Sequence, residues 1–161
     1  MTSVEPIGWV HSSRSDAIDD DWDAVTASIS VDAERFSPDA ILGLDAFSHI
    51  EVVFLFDQVE PDEIENAARH PRGNTDWPKV GIFAQRAKMR PNRLGVSVCR
   101  LLGIDGLVLR VQGLDAIDGT PVLDIKPYMT EFGARGAVDQ PAWSHELMAT
   151  YWSNPRPESR S

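Results

Sequence analysis

The run Phe47-Ser48-His49-Ile50-Glu51-Val52-Val53-Phe54-Leu55-Phe56 is dense in β-branched and aromatic residues and is closed by the polar pair Asp57-Gln58. Such a run predicts a central strand, and a chain that contains it has to build a sheet around it. Partners are at hand. Pro6–His11 reads as a short first strand, and Thr26–Val31 alternates Ala27, Ile29 and Val31 with polar neighbours, the pattern of a half-buried antiparallel strand. Val80–Gln85, Leu94–Leu102, Leu107–Gln112 and Val122–Ile125 read as further strands, with Asp118-Gly119 predicting a tight hairpin turn before the last of them. Near the end, the segment opened by Pro141 carries Trp143, Leu147, Met148 and Tyr151 at helical spacing, which predicts an amphipathic helix of two to three turns laid on the sheet. The fold class is therefore mainly β with a short C-terminal helix.

Between the strands, Pro38–Leu44 reads as a turn with a helical kink, Pro61–His70 as helical turns, and Pro71–Pro78 as an irregular loop of the kind that forms lids or binding loops. Asp16, Asp19, Asp20, Asp21 and Asp23 crowd one loop that lacks the closing Glu of an EF-hand, so a solvated acidic loop is expected. A chain of 161 residues suits one domain. We expect it to span residues 1–153, with Asn154–Ser161, polar and proline-containing, as a frayed tail.

The sequence excludes several chemistries. No GxGxxG follows a strand, and no GxxxxGK[ST] or GxSxG occurs. His11, His49, His70 and His145 lack metal-ligand spacing and there is no cysteine pair, so no metal is expected. Cys99 is alone within an apolar run, which predicts a buried small hydrophobe and agrees with a reducing, cytoplasmic setting, as does the absence of a secretory signal. The net charge of −10 argues against a surface that holds nucleic acid everywhere. Its distribution is uneven. No acidic residue lies between Trp77 and Ile104, whereas Lys79, Arg86, Lys88, Arg90, Arg93 and Arg100 do, so a basic island is set in an acidic chain. An island of that kind is either a solvated face or a site for a carboxylate or phosphates.

Two long motifs bracket this region. The first runs Arg86-Ala87-Lys88-Met89-Arg90-Pro91-Asn92-Arg93-Leu94-Gly95-Val96-Ser97, and the second Asp118-Gly119-Thr120-Pro121-Val122-Leu123-Asp124-Ile125-Lys126-Pro127-Tyr128. Together with Phe47-Ser48-His49-Ile50 they resemble the TsaA/TrmO-like family, whose loop R-S-P-x-R-P-N-P-I-G-x-S precedes a strand and whose D-G-T-P-V-L-D-I-K-P-Y follows later. The second motif is unchanged here. In the first, Arg86, Arg90, Pro91, Asn92, Gly95 and Ser97 match, while Ala87, Lys88 and Arg93 replace Ser, Pro and Pro.

The resemblance implies a small β-barrel-like homodimer that uses S-adenosylmethionine to N-methylate threonylcarbamoyl-adenosine beside the anticodon of a tRNA. Rival expectations are a different RNA or small-molecule acceptor, and a non-catalytic S-adenosylmethionine-binding module. Expected donor-binding residues are Arg86, Arg90, Pro91, Asn92, Gly95, Ser97, Asp118 and Thr120. S-adenosylmethionine carries a carboxylate, an ammonium, ribose hydroxyls and a flat adenine, which call for an Arg, a carboxylate, hydrogen-bonding groups and close backbone approach. Arg86 or Arg90 would clamp the carboxylate, Asn92 and Ser97 would hydrogen-bond, Gly95 would admit the ligand to the backbone, and Asp118 or Asp124 would face the ammonium or ribose. His49, Lys88 and Arg93 are expected to contact substrate. Asp124, Lys126 and Tyr128 are the expected catalytic residues, since a carbamoyl nitrogen needs help in orienting its lone pair or losing its proton.

Overall fold

The computed structural model describes residues 1–153; the expected tail at 154–161 lies outside the described residues. Eight strands form: β1 (Gly8–Ser12), β2 (Thr26–Val31), β3 (His49–Leu55), β4 (Ala68–Arg69), β5 (Val80–Gly81), β6 (Leu94–Asp105), β7 (Val108–Gln112) and β8 (Pro121–Pro127), followed by one helix, α1 (Ala142–Met148). Six of them close into an antiparallel barrel in the order β1-β2-β7-β6-β3-β8, while β4 and β5 pair separately. The expected barrel is thus the fold.

Alternation in the sequence becomes alternation across the barrel wall. On β3, Ile50, Val52 and Phe54 point inward and are buried. On β6, Gly95, Ser97 and Cys99 are buried, while Leu94, Val96, Val98 and Arg100 face outward. Val10, Ile29, Val31, Leu109, Val111 and Val122 complete the core with Leu114 and Ala116. Register shifts at Val53/Phe54 and at Leu101/Gly103 bend the wall, as closing a small barrel requires. Cys99 lies in this core. Burial first, and the charge of Asp115 second, push its thiol up to about 12, so it is an inert hydrophobe at neutral pH.

Several local expectations are corrected. Val80–Gln85 is a strand only at Val80–Gly81; Ile82–Ala84 is a 3-10 turn. The chain turns there because Ile82 is buried and the buried Gln85 side chain donates back to the carbonyls of Val80 (2.9 Å) and Arg69 (3.1 Å). Pro61–His70 is helical only over Pro61–Glu63, where Glu60 and Glu63 form a capping box, and Ala68–Arg69 is a strand.

Asp118-Gly119 does make a turn, with Gly119 at φ 82, a conformation that favours glycine. The strands on either side of it do not pair: β8 lies between β1 and β3, and the connection from β7 dips inward to bury Leu114 and Ala116. The two alternating apolar positions override the hairpin.

The loops are fastened to one another. Arg14 lies 3.8 Å from the Trp22 ring centroid and donates to the carbonyls of Asp21 and Ile18, so the acidic loop wraps a cation. Arg72, from the loop after β4, pairs with Asp20 at 3.0 Å. The described hydrogen bonds around α1 run to loops: Trp77 Nε1–H donates to Glu146 at 2.7 Å, and the N–H groups of Asp21, Trp22 and Asp23 donate to the carbonyls of Thr150, Tyr151 and Trp152.

Candidate active site

The loop from Gln85 to Arg93 is held by its own cations. Arg90 Nη1 donates to Gln85 O at 2.8 Å, Arg93 Nη1 to Val59 O at 2.9 Å, and Arg86 Nη2 to Val96 O at 2.9 Å. Arg93 takes a positive φ of 53, and its carbonyl accepts from Phe56 N–H. These guanidiniums therefore shape the loop before they can serve a ligand. Lys88, by contrast, makes no ion pair or side-chain hydrogen bond among the described residues. Pro91 is half-buried and Asn92 exposed at the loop tip.

The expected substrate contact by Lys88 and Arg93 is thereby divided: if the substrate is a tRNA, Lys88→Ala should flatten the salt dependence of its binding, whereas Arg93→Ala should loosen the loop and lower the melting temperature. Titrations at several salt concentrations beside thermal melts check this; equal effects of the two variants on both readouts would refute the division.

Two of the expected donor residues have inward roles. Ser97 is buried opposite Val52. At Gly95, an added Cβ would fall 2.4 Å from Phe54 Cε2, so the absence of a side chain has a packing reason. At the other end of the second motif, Asp118 Oδ1 accepts Ser12 N–H at 2.9 Å, and Thr120 is buried with its carbonyl bonded to Val10 N–H. Pro121 and Lys126 are five residues apart on an extended strand, about 17 Å. Asp118 and Thr120 thus fasten the end of β1, roughly that distance from Lys126 along β8.

The remaining candidates do converge. Cross-strand register puts Asp124 opposite Val53, whose partner on the other side is Val96, and Lys126 opposite Glu51, whose partner on the other side is Val98. His49 lies opposite Arg100, and its carbonyl accepts Tyr128 N–H at 3.0 Å. Lys126 Nζ sits 2.7 Å from Asp124 Oδ2. That hydrogen bond, then the Asp124 charge, raise the Lys126 ammonium above its ordinary range, with a smaller push from Glu51. Lys126 is therefore a cation at neutral pH. Asp124 also borders a groove of about 450 Å³ walled by Ile7, Val31, Phe36, Leu44 and Phe47, an apolar hollow with a carboxylate on its rim.

Two groups that the sequence did not single out belong here. Glu51 is an outward position of β3, readable only once the register is known. Asp115 stands three positions ahead of Asp118; its Oδ2 accepts the Tyr151 hydroxyl, and its charge helps to raise the thiol of Cys99 on β6.

Comparison with known proteins decides the kinship. The family model described as tRNA-methyltransferase O N-terminal domain matches residues 19–134. The chain belongs to the tRNA-methyltransferase O family. Within the family it is similar to the tRNA (adenine(37)-N6)-methyltransferase of Escherichia coli, 41% identical over 97 residues, which cover 56% of this chain and 40% of that one. A Methanothermobacter thermautotrophicus protein described as S-adenosyl-L-methionine-binding is 38% identical over 83% of this chain and 94% of its own length. A crystal structure of TrmO from Pseudomonas aeruginosa superposes with a TM-score of 0.71 at 30% identity, covering 89% of this chain and 62% of that one. The chain spans 57% and 40% of the length of the Pseudomonas aeruginosa and Escherichia coli curated relatives. The family match spans β2 to β8 and both motifs.

Proposed function

We propose that the protein is an S-adenosylmethionine-dependent methyltransferase that N-methylates an adenosine beside the tRNA anticodon, with threonylcarbamoyl-adenosine as the acceptor and the cytoplasm as its place of action. The observation that carries this reading is the Asp124–Lys126 pair on the rim of an apolar groove, one strand removed from the Arg86–Ser97 motif, in a chain of this family. From Asp124 to Val96 across β3 is two strand spacings, about 10 Å.

The residues fit the donor. Arg86 keeps guanidinium nitrogens beyond the one bound to Val96 O, and Asp115 has a free carboxylate oxygen among the described residues. S-adenosylmethionine supplies an activated methyl group and leaves as a neutral thioether. The chain's contribution is alignment: the groove excludes water around the acceptor base, Lys126 holds Asp124 in place, and Asp124 orients the acceptor nitrogen and takes its proton. Tyr128 closes the row beside His49.

The outward face of β6 supports a homodimer. Leu94, Val96 and Val98 form an apolar stripe, each about two-fifths exposed, separated from the candidate catalytic strand by β3. Val98→Asp should convert a dimer to a monomer in sedimentation equilibrium; a variant that still dimerises would move the interface elsewhere. Calorimetry with S-adenosylmethionine tests the donor reading, and a folded protein that gives no binding would end it. The Methanothermobacter relative, nearly all of whose length is matched, is described by donor binding alone, which keeps a binding module as the rival reading. Methyl transfer to tRNA separates the two.

A further inference from the structure

Arg100 belongs to the basic island but lies beyond the first motif, on the outward face of β6. Unlike Arg86, Arg90 and Arg93, it makes no ion pair or side-chain hydrogen bond among the described residues. Arg110, outward on β7, is equally unengaged among them. Two exposed guanidiniums on neighbouring strands thus form a patch opposite in sign to a chain of net charge −10.

Register draws the neighbourhood. Arg100 pairs across with His49 on one side and Gln112 on the other, and Gln112 with Thr26. The adjoining row is Gly103, Arg110, Ser28 and His11. A Cβ at Gly103 would fall 2.5 Å from Arg110 Nη2, so the guanidinium lies across β6, the strand of Arg100, where a glycine leaves room for it. Beside it opens a hollow of about 600 Å³ lined by His11, Thr26, Ser28, Leu102, Arg110 and Asp118. Among the residues of β1, β2, β6 and β7 the only carboxylate is Asp105, at the far end of β6. Asp118 bounds the hollow at its other end, with Oδ1 taken by Ser12 N–H. Between these two carboxylates the wall presents guanidiniums, hydroxyls and an imidazole, the groups that phosphate oxygens take as donors.

We propose that this wall, from Arg100 over Arg110 to His11, is a track for phosphodiester groups of the RNA whose adenosine occupies the candidate site. The proposal rests on the tRNA reading above. Its position suits the task. His49, the neighbour of Arg100, also accepts Tyr128 N–H at 3.0 Å, so the track starts beside the candidate catalytic row and runs from it round the barrel. The four strand spacings from β3 to β1 are about 19 Å, room for more than one phosphate.

Titration of labelled tRNA at several salt concentrations tests this. The Arg100→Gln, Arg110→Gln variant should bind more weakly at low salt, with the log–log salt slope reduced by about 1.5, the share of two phosphates. The Arg100→Lys, Arg110→Lys variant should restore most of that slope, because a phosphate accepts a point charge in place of the fork. Affinity for S-adenosylhomocysteine in calorimetry should be equal in all three proteins; a parallel loss there would place the arginines at the donor and overturn the track. An unchanged slope in the Gln variant, while wild-type protein binds tRNA, overturns it as well, and so does a loss that Lys does not restore. A Gln variant of altered sedimenting mass would make the wall an interface between copies, which also overturns it. Should the Gln variant not fold, His11→Glu decides: a carboxylate placed at the hollow should weaken tRNA binding, and unaltered affinity contradicts the track. If wild-type protein binds no tRNA at any salt concentration, the tRNA reading itself falls, and the track with it.

Discussion

Adding a single methyl group to the barrel, as Gly95→Ala, is expected to destabilise it by about 3 kcal/mol, a large share of the ~5–15 kcal/mol that holds a domain together. The built Cβ would lie 2.4 and 2.5 Å from two atoms of the Phe54 ring. That ring cannot step aside. Phe54 is 1% exposed, lies edge-on to Phe56 at 5.3 Å, and stands on the strand at the centre of the wall. Urea titration reads the loss as a lower midpoint at unchanged slope. Shrinking the ring should restore part of it: Gly95→Ala with Phe54→Leu should be more stable than the sum of the single changes predicts. A midpoint for Gly95→Ala within about 0.5 kcal/mol of wild type would remove the packing reason for this glycine and return it to the ligand.

The largest effect on activity is expected at the Asp124–Lys126 pair. Lys126→Ala and Asp124→Asn should each lower single-turnover methyl transfer by about 100-fold, with donor affinity nearly unchanged. The double variant should be no worse than either, because a pair joined at 2.7 Å acts as one unit. The pH profile is constrained as well. With its pKa raised, Lys126 stays protonated past the ordinary 10.5, so no activity is lost to its deprotonation below that pH, and it cannot be the base. Stopped turnovers across pH 6–10, roughly the span over which a carboxylate base is already ionised, check both points. Losses that multiply in the double variant would mean that the two side chains act separately.

Much of the barrel was legible in the residues. The alternation in β2, β3, β6 and β7 survives in the structure because each strand has one face on the core, and a one-residue slip would expose every buried side chain. Less was legible where side chains override local pattern. Val80–Gln85 has a strand's composition, yet Gln85 folds back on Val80 O and Arg69 O and bends the chain, an effect of tertiary contact that no window of sequence carries. Asp118-Gly119 has the chemistry of a hairpin turn, yet closure of the barrel gives β8 the neighbours β1 and β3.

The site divides in the same way. The two motifs were visible as charged turn residues beside apolar runs, but not the spacing within the second of them, since an extended strand sets Asp118 and Thr120 far from Lys126. Glu51 and Asp115 had no motif to mark them. Glu51 acquires meaning from its register with Lys126 and Val98, and Asp115 from an unpaired oxygen that only packing creates. All four cations of the first motif were expected at a ligand or substrate, and three of them are anchored to main-chain carbonyls, because a loop of this length without secondary structure needs internal donors to hold its shape.

The central claim is that this barrel moves a methyl group onto a tRNA adenosine. Purified protein should be incubated with methyl-labelled S-adenosylmethionine and total tRNA from cells lacking the gene, and the nucleosides resolved by mass spectrometry. The predicted result is label in one nucleoside, the N-methylated form of threonylcarbamoyl-adenosine, and its disappearance with the Asp124→Asn, Lys126→Ala variant. Protein that binds the donor in calorimetry but leaves every tRNA nucleoside unlabelled would contradict the account.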